Sequence, residues 1–275
     1  MALTEYQIEI LRLLAEDRKK SGVSYVAGGV ALGHSLQSAR RSEDIDLFHD
    51  SEEALWVTWQ RDRQILETMG HEIRVIREAP SFVEGQVVRG MDSVLIQWAR
   101  DSAFRFFPLI EDDLLGLTLH PLDLAANKLL ALVGRLEPRD WIDIIECHQK
   151  LQPLGYLVWA ACGKDPGVNP DSLLSDAAKQ RYVQPELDIL SFEGPPPNAS
   201  ATARIWKEAI RSGRSIVARL PTDQVGTCLL TPDGRPYCHA VEQLEDDVQR
   251  GRILFHPGRL HGAWPRLIPS PPRER

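Results

Sequence analysis

Two aspartates that alternate with apolar residues are the strongest constraint that this sequence places on its fold. Asp44 and Asp46 alternate with Ile45 and Leu47 in a short segment that is typical of a strand. Successive side chains of a strand point to opposite faces, so both carboxylates project from the same face. The segment therefore predicts a sheet with one apolar, buried face and one face that carries a pair of acids.

The pair of carboxylates predicts a metal site. Two negative charges a few ångströms apart repel each other unless a proton or a cation compensates them. Mg²⁺ prefers carboxylate oxygens and commonly links one or two carboxylates to substrate phosphates, and a two-metal arrangement suits phosphoryl displacement. We therefore expect Asp44 and Asp46 to hold Mg²⁺, with a solvated strand edge as the alternative.

A glycine pair upstream fits the same chemistry. Gly28 and Gly29 follow an apolar, strand-like run at residues 23–27 and precede a helix predicted over residues 30–38. Glycines let backbone amides approach a phosphate closely, and the N-terminus of a helix adds the positive end of its dipole. Arg41 would add positive charge. A lone glycine pair is usually a turn, but the order strand, glycines, helix, acidic strand favours a nucleotide site.

Bulk properties exclude several classes of protein. The chain has 275 residues, 43% of them hydrophobic, and a net charge of -7, so it is not a generally basic nucleic-acid coat. No apolar run reaches the roughly 18 residues of a membrane span, and the N-terminus is too charged for a signal peptide. The four cysteines show no close pairing, which is typical of free thiols in a reducing compartment. We therefore expect a cytoplasmic protein without a membrane partner.

The pattern along the chain is that of a mixed α/β (α+β) protein. A capping box at Thr4 and Gln7 starts an amphipathic helix, and Ser51 starts another. Periodicity predicts strands at residues 23–27, 44–48, 71–77, 86–89, 93–99 and 105–110. It predicts further helices at residues 30–38, 122–135, 139–151, 156–162, 173–180 and 201–212.

A Gly-Pro-Pro-Pro-Asn run at residues 194–198 is the best candidate linker. We expect three parts in order, a core, a helical block and a small C-terminal α+β unit: residues 1–120, 121–193 and 199–275. The small unit would hold a hairpin at residues 225–238 that turns at Pro232-Asp233-Gly234, and a frayed end at residues 269–275.

Two separate motifs resemble a known enzyme superfamily. The sequence GGVAL at residues 28–32, followed by RSEDIDL at residues 41–47, resembles the glycine and DxD signature of the polymerase-beta-like nucleotidyltransferases. The sequence DLAANKLLAL at residues 123–132 leads to Arg135 and then to RDWID at residues 139–143. This second pattern is similar to the AbiEii/AbiGii-type toxin nucleotidyltransferases. The resemblance covers roughly residues 23–151.

The resemblance implies a nucleotidyltransferase-type mixed sheet flanked by helices, and magnesium-dependent transfer of a nucleoside monophosphate from an NTP to an acceptor hydroxyl. It implies that Asp44 and Asp46 are catalytic and hold Mg²⁺ against the triphosphate. It further implies that a set of residues binds the nucleotide: Gly28, Gly29, Arg41, Ser42, Lys128 and Arg135. Asp140 matches the acid of the family's RD pair, so Lys128 and Asp140 are expected to join the catalytic group.

The residues of the second motif, at 123–143, have a structural role as the alternative to catalysis. Lys128 and Arg135 lie seven residues apart on the predicted helix and share a face, which suits a polyphosphate. Alternatively, both are exposed to solvent, or Lys128 pairs with Asp123. Arg139 and its neighbour Asp140 have the alternative role of holding two helices together.

The third carboxylate that this superfamily often supplies from a later strand is replaced here. The predicted strand at residues 93–99 carries Gln97 in its place, and an amide cannot act as a base. A polar residue in an apolar run is costly unless it is hydrogen-bonded, so we expect Gln97 to face the site. Asp101 or Asp92 would then supply the acid, or transfer proceeds without one.

The motifs do not name the acceptor. The resemblance implies RNA, for instance a tRNA 3′ end, or a protein hydroxyl, and a cognate antitoxin as partner. Basic residues with the aromatic Phe255 and Trp264 among them suit a single-stranded nucleic acid, with solvated charge as the alternative. They are Arg204, Lys207, Arg211, Arg214, Arg219, Arg252, Arg259, Arg266, Arg273 and Arg275.

Two other functions stay open on the sequence alone. Gln97 suggests a non-catalytic nucleotide-binding or interaction module on a degenerate nucleotidyltransferase core. The acidic balance of the chain suggests a small-molecule nucleotidyltransferase that acts on a cationic, aminoglycoside-like substrate.

Overall fold

The computed structural model describes residues 3–267, which form two compact units. Each unit combines separate stretches of the chain. The first comprises the described parts of Met1–Ala103, Leu109–His120 and Ser191–Pro195. The second comprises those of Phe104–Pro108, Pro121–Leu190 and Pro196–Arg275. The division of the sequence into domains at residues 1–120, 121–193 and 199–275 stays a prediction.

Helices and strands alternate at first, six consecutive strands follow, and helices dominate the rest of the described chain. The helices are α1 Glu5–Ser21, α2 Gly28–Leu36, α3 Glu52–Thr68, α4 Pro121–Arg135, α5 Pro138–Lys150, α6 Leu154–Ala161, α7 Pro170–Ala177, α8 Gln184–Asp188, α9 Ala199–Val217 and α10 Val241–Gln249. The strands are β1 Tyr25–Ala27, β2 Asp44–His49, β3 Glu72–Ala79, β4 Phe82–Arg89, β5 Asp92–Arg100, β6 Phe104–Arg105, β7 Ile110–Asp112, β8 Gly116–Thr118, β9 Thr227–Leu230, β10 Leu254–Pro257 and β11 Arg259–Leu260. Within residues 3–267, no helix combines the length and the apolar character that a membrane crossing requires.

The first unit is built on a mixed sheet with the strand order β3-β4-β5-β2-β1-β8-β7. β2 runs parallel to β5 and β1 runs parallel to β8, while the other neighbours are antiparallel. Trp59 of α3 packs on Trp98 of β5 with ring centroids 4.6 Å apart, so α3 covers one face of the sheet. That face is apolar and buried: Ile45, Leu47, Val83, Val87, Ile96 and Trp98. The predicted α/β class, with a mixed sheet flanked by helices, is confirmed.

The N-termini of two helices confirm the capping patterns in the sequence. Thr4 and Gln7 form a reciprocal capping box, in which the Gln7 N–H donates to the Thr4 hydroxyl oxygen at 3.1 Å. The Ser51 hydroxyl accepts from the N–H of Ala54 at 3.1 Å and so caps α3. Each cap satisfies a backbone donor that a helix leaves without an internal partner.

The second unit is mainly helical and carries two small sheets. β9 pairs with β10, and β6 pairs with β11. An apolar core joins α6, α9 and α10 to β9: Tyr156, Trp159, Ile216, Leu220, Leu229, Tyr237, Leu244 and Ile253. The helices predicted at residues 122–135, 139–151 and 201–212 are confirmed as α4, α5 and α9.

The full-length hairpin expected at residues 225–238 is wrong, because only its turn and the pairs beside the turn form. The Gly234 N–H donates to the Thr231 carbonyl oxygen at 2.8 Å, and the bridge between Leu230 and Pro236 is flanked by two backbone hydrogen bonds, from the Thr231 N–H to the Arg235 carbonyl oxygen at 2.8 Å and from the Tyr237 N–H to the Leu229 carbonyl oxygen at 3.0 Å. The longer ladder of β9 is made with β10. Pro236 has no N–H group with which to extend a ladder of hydrogen bonds. The strand partner of β9 therefore comes from beyond α10.

The strand expected at residues 105–110 is also wrong, because β6 ends at Arg105. Beyond it, the N–H groups of Phe106 and Phe107 donate to the two carboxylate oxygens of Asp123, at 2.9 and 3.1 Å. Backbone donors that are bound by a side chain cannot join a ladder. The frayed end expected at residues 269–275 lies outside the described residues.

Candidate active site

β2 presents its two aspartates on the half-exposed face of the sheet. Ile45 and Leu47 are buried, whereas Asp44 and Asp46 are partly exposed. The same alternation runs through the middle of β4 and β5, so that one face of this part of the sheet is sealed and the other is accessible. The aspartates therefore lie where a ligand can reach them.

Gly28 is packed against the Asp46 carboxylate. It opens α2 with a φ of 61°, in the left-handed region that favours glycine. A methyl group at this position would overlap the Asp46 carboxylate, and one at Gly29 would overlap the Ser42 hydroxyl. α2 begins at Gly28, two residues before the start that the sequence predicts. The glycines thus bring the first N–H groups of a helix, which have no acceptor inside the helix, beside the acidic strand.

Two distant segments fix the loop that leads into β2. The side-chain amide of Gln7 on α1 donates to the carbonyl oxygen of Ser42 at 2.8 Å. The Arg41 N–H donates to the carbonyl oxygen of Ser191 at 2.8 Å. Ser191 belongs to the short stretch Ser191–Pro195, which joins the first unit from far along the chain. Ser42 is buried and Arg41 is half-buried, so both predicted nucleotide-binding residues sit in a fixed loop.

Gln97 lies beside Asp46 in the register of the two parallel strands. Its Nε2 donates to Glu84 Oε1 at 2.8 Å, and Glu84 lies opposite Gln97 on β4. Asp46, Gln97 and Glu84 thus form one row across three strands, about 10 Å from the first backbone to the last. An amide occupies the place next to Asp46, and a carboxylate follows one strand further away.

Glu84 is absent from the residues predicted from the sequence. The predicted strand begins at residue 86, whereas β4 begins at Phe82. Gly85 interrupts the apolar run, and a Cβ atom there would come within 3.3 Å of the Ile73 side chain. The signal that would have found Glu84 is its position between Val83 and Gly85 in an alternating segment.

The two other candidate acids do not join this row. Asp101 lies four residues past Gln97, about 13 Å along the strand direction, and its N–H donates to the carbonyl oxygen of His49 at 2.9 Å. Asp92 begins β5 at an odd number of residues from Gln97, so its side chain points to the opposite face.

The donors at this site are hard oxygen atoms. Asp44 and Asp46 contribute carboxylates, and the Ser42 hydroxyl donates to Asp44 Oδ1 at 3.2 Å. Within residues 3–267, no group of three or more His, Cys, Asp or Glu side chains is arranged to hold a metal ion. Two carboxylates fit Mg²⁺, which keeps several water molecules and is commonly bound through one or two carboxylates and substrate phosphates. The residues present therefore fit an ion that a nucleotide helps to hold.

Lys128 and Asp140 form the centre of a buried ion-pair cluster that joins α4 to α5 in the second unit. Lys128 Nζ lies 3.0 Å from Asp140 Oδ1 and 3.2 Å from Asp143 Oδ2. The Arg135 guanidinium binds both oxygens of Asp140, at 2.6 and 2.9 Å. Burial raises the pKa of Asp140, but the hydrogen bonds and charges of Arg135 and Lys128 outweigh it and lower this pKa overall. The alternative that Lys128 pairs with Asp123 is wrong.

This cluster balances its formal charges, with two cations on two carboxylates, and it locks two helices together. Asp123 is used elsewhere, since it accepts from two backbone N–H groups and lies 2.8 Å from Lys164. A role of Lys128 and Arg135 in phosphate binding stays a prediction. The acids of β2 belong to the first unit and the ion-pair cluster belongs to the second.

The basic residues predicted for nucleic-acid binding have different surroundings. Arg219 pairs with Glu245 at 3.2 Å, and Arg252 pairs with Asp247 at 3.2 Å. Trp264 is exposed. Four of the basic residues are exposed on α9: Arg204, Lys207, Arg211 and Arg214. Arg273 and Arg275 lie outside the described residues.

Residues 12–162 match a family model described as the nucleotidyl transferase AbiEii toxin of type IV toxin–antitoxin systems. The matched stretch is more than half of the chain and includes both the β2 acids and the ion-pair cluster. A comparison with curated protein sequences finds no match.

Solved structures with a similar fold include two proteins of Helicobacter pylori and one of Mycobacterium tuberculosis. JHP933 from H. pylori has a TM-score of 0.50 at 15% identity, with 78% of this chain and 95% of that one covered. A second H. pylori protein, described as a nucleotidyltransferase, has a TM-score of 0.52 at 13% identity, with 78% and 96% covered. The M. tuberculosis nucleotidyltransferase toxin MenT4 has a TM-score of 0.50 at 17% identity, with 79% and 83% covered. At these identities the similarity shows a common fold.

Proposed function

Because the chain belongs to the AbiEii family of nucleotidyltransferase toxins, we propose that it transfers a nucleoside monophosphate from a nucleoside triphosphate to a hydroxyl group of RNA, with Mg²⁺ as cofactor. Family membership makes the chain a transferase enzyme and makes nucleotidyl transfer its reaction class. The metal ion, the nucleotide and the acceptor are the proposed parts. The observation that carries the metal ion and the nucleotide is the packing of Gly28 against the carboxylate of Asp46.

Asp44 and Asp46 would hold the metal ion, because they offer two hard oxygen ligands on the accessible face of β2. When bound, the ion would neutralise the acids and the phosphate oxygens and polarise the phosphoryl group. The backbone amides at Gly28 and Gly29 would bind triphosphate oxygens, since they are the first N–H groups of α2 and have no acceptor inside the helix. Arg41 and Ser42 would complete this group from the adjoining loop.

The transfer makes one bond and breaks one bond. The oxygen of the acceptor hydroxyl bonds to the α-phosphorus, and the bond from that phosphorus to the oxygen that bridges to the β-phosphate breaks. Pyrophosphate leaves with the electron pair of the broken bond. The hydroxyl proton passes to water or to a carboxylate, and Glu84 is the carboxylate that lies in the same row as Asp46.

For Lys128, Arg135 and Asp140, the proposal keeps the roles that the family resemblance implies, which are contact with phosphate and support of the transfer. The family match supports it, because the matched stretch includes both the β2 acids and the ion-pair cluster. The assignment of the family to type IV toxin–antitoxin systems supports a cognate antitoxin as partner. The exposed basic residues of α9 favour RNA over a protein hydroxyl as acceptor.

The test combines purified protein, Mg²⁺, each NTP labelled at its α-phosphate and total RNA, with protein and an aminoglycoside offered as alternative acceptors. We expect label in RNA, and we expect its loss in the variant Asp44→Asn/Asp46→Asn. The matched control is Asp92→Asn, which removes an exposed carboxylate from the opposite face of the same sheet. Label that appears only in protein or only in the aminoglycoside would contradict the RNA acceptor. Label in RNA that survives the double substitution would contradict the site.

A further inference from the structure

A cleft of about 1120 Å³ lies in the second unit between α9 and the segment that follows α7. Its lining is basic, with an aromatic floor: Lys179, Arg181, Tyr182, Lys207, Arg211 and Arg214 line it together with Trp141 and Trp206. Within the described chain, no Asp or Glu side chain lines this α9 cleft. The surroundings therefore attract an anion along their whole length.

The basic side chains form a regular stripe on α9. Arg204, Lys207, Arg211 and Arg214 follow the spacing of one helical face, and all four are exposed. The stripe extends from Arg204 to Arg214, which is ten steps along the helix and about 15 Å at 1.5 Å per residue. Trp206 and other apolar residues of α9 face the interior instead. A helix that concentrates exposed positive charge over this length suits a run of phosphates better than a single one.

Most of this charge is not neutralised within the protein. Among residues 3–267, Arg181, Lys207 and Arg214 have no ion-pair partner. Arg211 pairs with Glu208, the single acid of α9, and Lys179 pairs with Asp176 at 2.6 Å. The unpaired cations remain available to phosphate. When they neutralise phosphates, the counterions condensed on the nucleic acid are released, and this release favours binding.

The floor of the α9 cleft offers an aromatic surface. The half-exposed ring of Tyr182 packs on the buried ring of Trp141 with centroids 5.4 Å apart, and Trp141 packs edge-on against Trp206 at 6.4 Å. Trp141 is 0% exposed, and its indole N–H has no hydrogen-bond partner among the described residues. A buried N–H without an acceptor is costly. This one is closed to solvent, so the half-exposed Tyr182 ring is the part of the aromatic floor that a ligand can reach.

From these observations we infer that the α9 cleft binds a single-stranded segment of the acceptor RNA. Phosphates would lie along Lys207, Arg211 and Arg214, and a base would stack on Tyr182. Single strands expose base faces for stacking, whereas an A-form duplex hides them, so the aromatic floor favours an unpaired segment. The volume exceeds the roughly 300–1,000 Å³ of typical small-molecule pockets, which favours several nucleotides over one. The inference rests on the proposed function and specifies its acceptor.

Binding is tested without catalysis. A fluorescent single-stranded RNA oligonucleotide is titrated with Asp44→Asn/Asp46→Asn protein, without NTP, over a range of salt concentrations. Lys207→Ala/Arg214→Ala should weaken binding and lower the slope of log K against log salt by about 1.4, which is about 0.7 for each lost phosphate contact. The matched control, Arg235→Ala/Arg250→Ala, removes two exposed cations that do not line the cleft and should leave the slope unchanged.

A second pair of variants tests the stacking surface. Tyr182→Ala should weaken binding about fivefold to a hundredfold, because a base that stacks on an aromatic ring contributes roughly 1–3 kcal/mol. Tyr182→Phe keeps the ring and should bind as the parent protein does. A duplex RNA of the same sequence should bind more weakly than the single strand. Thermal unfolding of every variant separates a loss of binding from a loss of fold.

The outcomes separate this inference from the proposed function. If RNA is labelled by the enzyme and the cleft variants keep the affinity and the salt slope, the inference fails while the proposed function stands. If RNA binds through the cleft but is never labelled, the RNA acceptor fails, and only the assignment of the cleft as a surface for single-stranded RNA stands. Equal binding of single strand and duplex, or binding of an acidic protein in place of RNA, overturns the inference.

Discussion

The side-chain amide of Gln97 donates a 2.8 Å hydrogen bond to the carboxylate of Glu84. Gln97 is the neighbour of Asp46 across the parallel register, and Glu84 is the neighbour of Gln97 across the antiparallel one. A carboxylate thus lies one strand beyond the place where the family resemblance puts a third acid. Exchanging the two side chains would keep their hydrogen bond and move the charge toward Asp46.

The exchange variant Glu84→Gln/Gln97→Glu should raise the rate of nucleotidyl transfer about tenfold or more, because a positioned general base contributes roughly 10²–10⁴-fold. Initial rates of label incorporation at saturating NTP, measured across pH, check this. Gln97→Glu alone places two carboxylates in contact, and Glu84→Gln alone removes the acid, so neither should exceed the parent rate. An unchanged rate in the exchange variant would mean that transfer does not use an acid beside Asp46.

Gly28→Ala should abolish most of the transfer activity, at least about a hundredfold, because the added methyl group displaces the Asp46 carboxylate. The left-handed backbone by itself costs about 1–2 kcal/mol with alanine. Gly90→Ala is the matched control, since Gly90 has a φ of 63° and open space around it. The control should lose a similar amount of stability in urea unfolding and keep its transfer rate. Equal activity of the two variants would contradict the role of the Gly28 contact.

Removal of divalent metal should stop the transfer, because two carboxylates and a triphosphate would then repel one another. We expect EDTA to abolish RNA labelling and excess Mg²⁺ to restore it. The Asp44→Asn/Asp46→Asn variant should not recover at any Mg²⁺ concentration. Full activity in EDTA would refute the metal at β2.

Asp62 and His49 should give the first unit opposite dependences on pH. Burial raises the pKa of Asp62 to about 6, although the charge of Arg18 opposes this shift. The folded state therefore binds this proton more tightly than the unfolded state, and stability rises as pH falls from about 6 toward 4. Burial lowers the pKa of His49 to about 4, so its contribution is lost as pH falls below the ordinary value of 6.5.

Single substitutions should separate these two contributions, each worth about 3 kcal/mol over this range at 1.36 kcal/mol for one pKa unit. Asp62→Asn keeps an oxygen for the Trp98 indole N–H and should make the protein less stable on acidification. His49→Gln should make it more stable on acidification than the parent. Urea unfolding between about pH 4 and pH 7 measures both. Parallel curves for the two variants would contradict the assignment.

Asp140→Asn should lower the free energy of unfolding by about 3–5 kcal/mol, because it leaves Lys128 buried with one carboxylate fewer. Lys128→Met/Asp140→Leu removes one cation and one carboxylate and should recover part of that stability in urea unfolding, because Arg135 and Asp143 remain. We expect this double variant to remain deficient in transfer, since the proposal gives Lys128 a phosphate to bind. Recovery of both stability and transfer would mean that the cluster only holds α4 and α5 together and that Lys128 binds no phosphate.

Local signals were sufficient for much of the fold. Three of these signals depend only on neighbouring residues, and each one predicted its element correctly. They are the capping box at Thr4, the alternation around Asp44 and the helical spacing around Lys128. The motif order was also sufficient to indicate the family. What failed depends on contacts between distant residues. Asp123 binds the backbone that was expected to form a strand, and β9 takes its partner from beyond α10.

The surroundings of the β2 acids were less predictable for the same reason. Glu84 enters the site through its pairing with Gln97, and a strand pairing is set by the sheet rather than by either strand. The hydrogen bond between Arg41 and Ser191 spans most of the chain and leaves no periodic pattern. Sequence reasoning therefore located the two aspartates more readily than the groups that hold them.

The hydrogen bond between Arg41 and Ser191 can form only late in the synthesis of the chain. A ribosome makes the chain from its N-terminus, so a nascent chain carries Asp44 and Asp46 long before Ser191–Pro195 has emerged to complete the loop beside them. A translation product that stops between His49 and Ser191 contains the acidic strand without the partner of the Arg41 N–H. Such prematurely terminated chains lack the hydrogen bond that fixes the loop before β2, to which the proposed function assigns nucleotide binding.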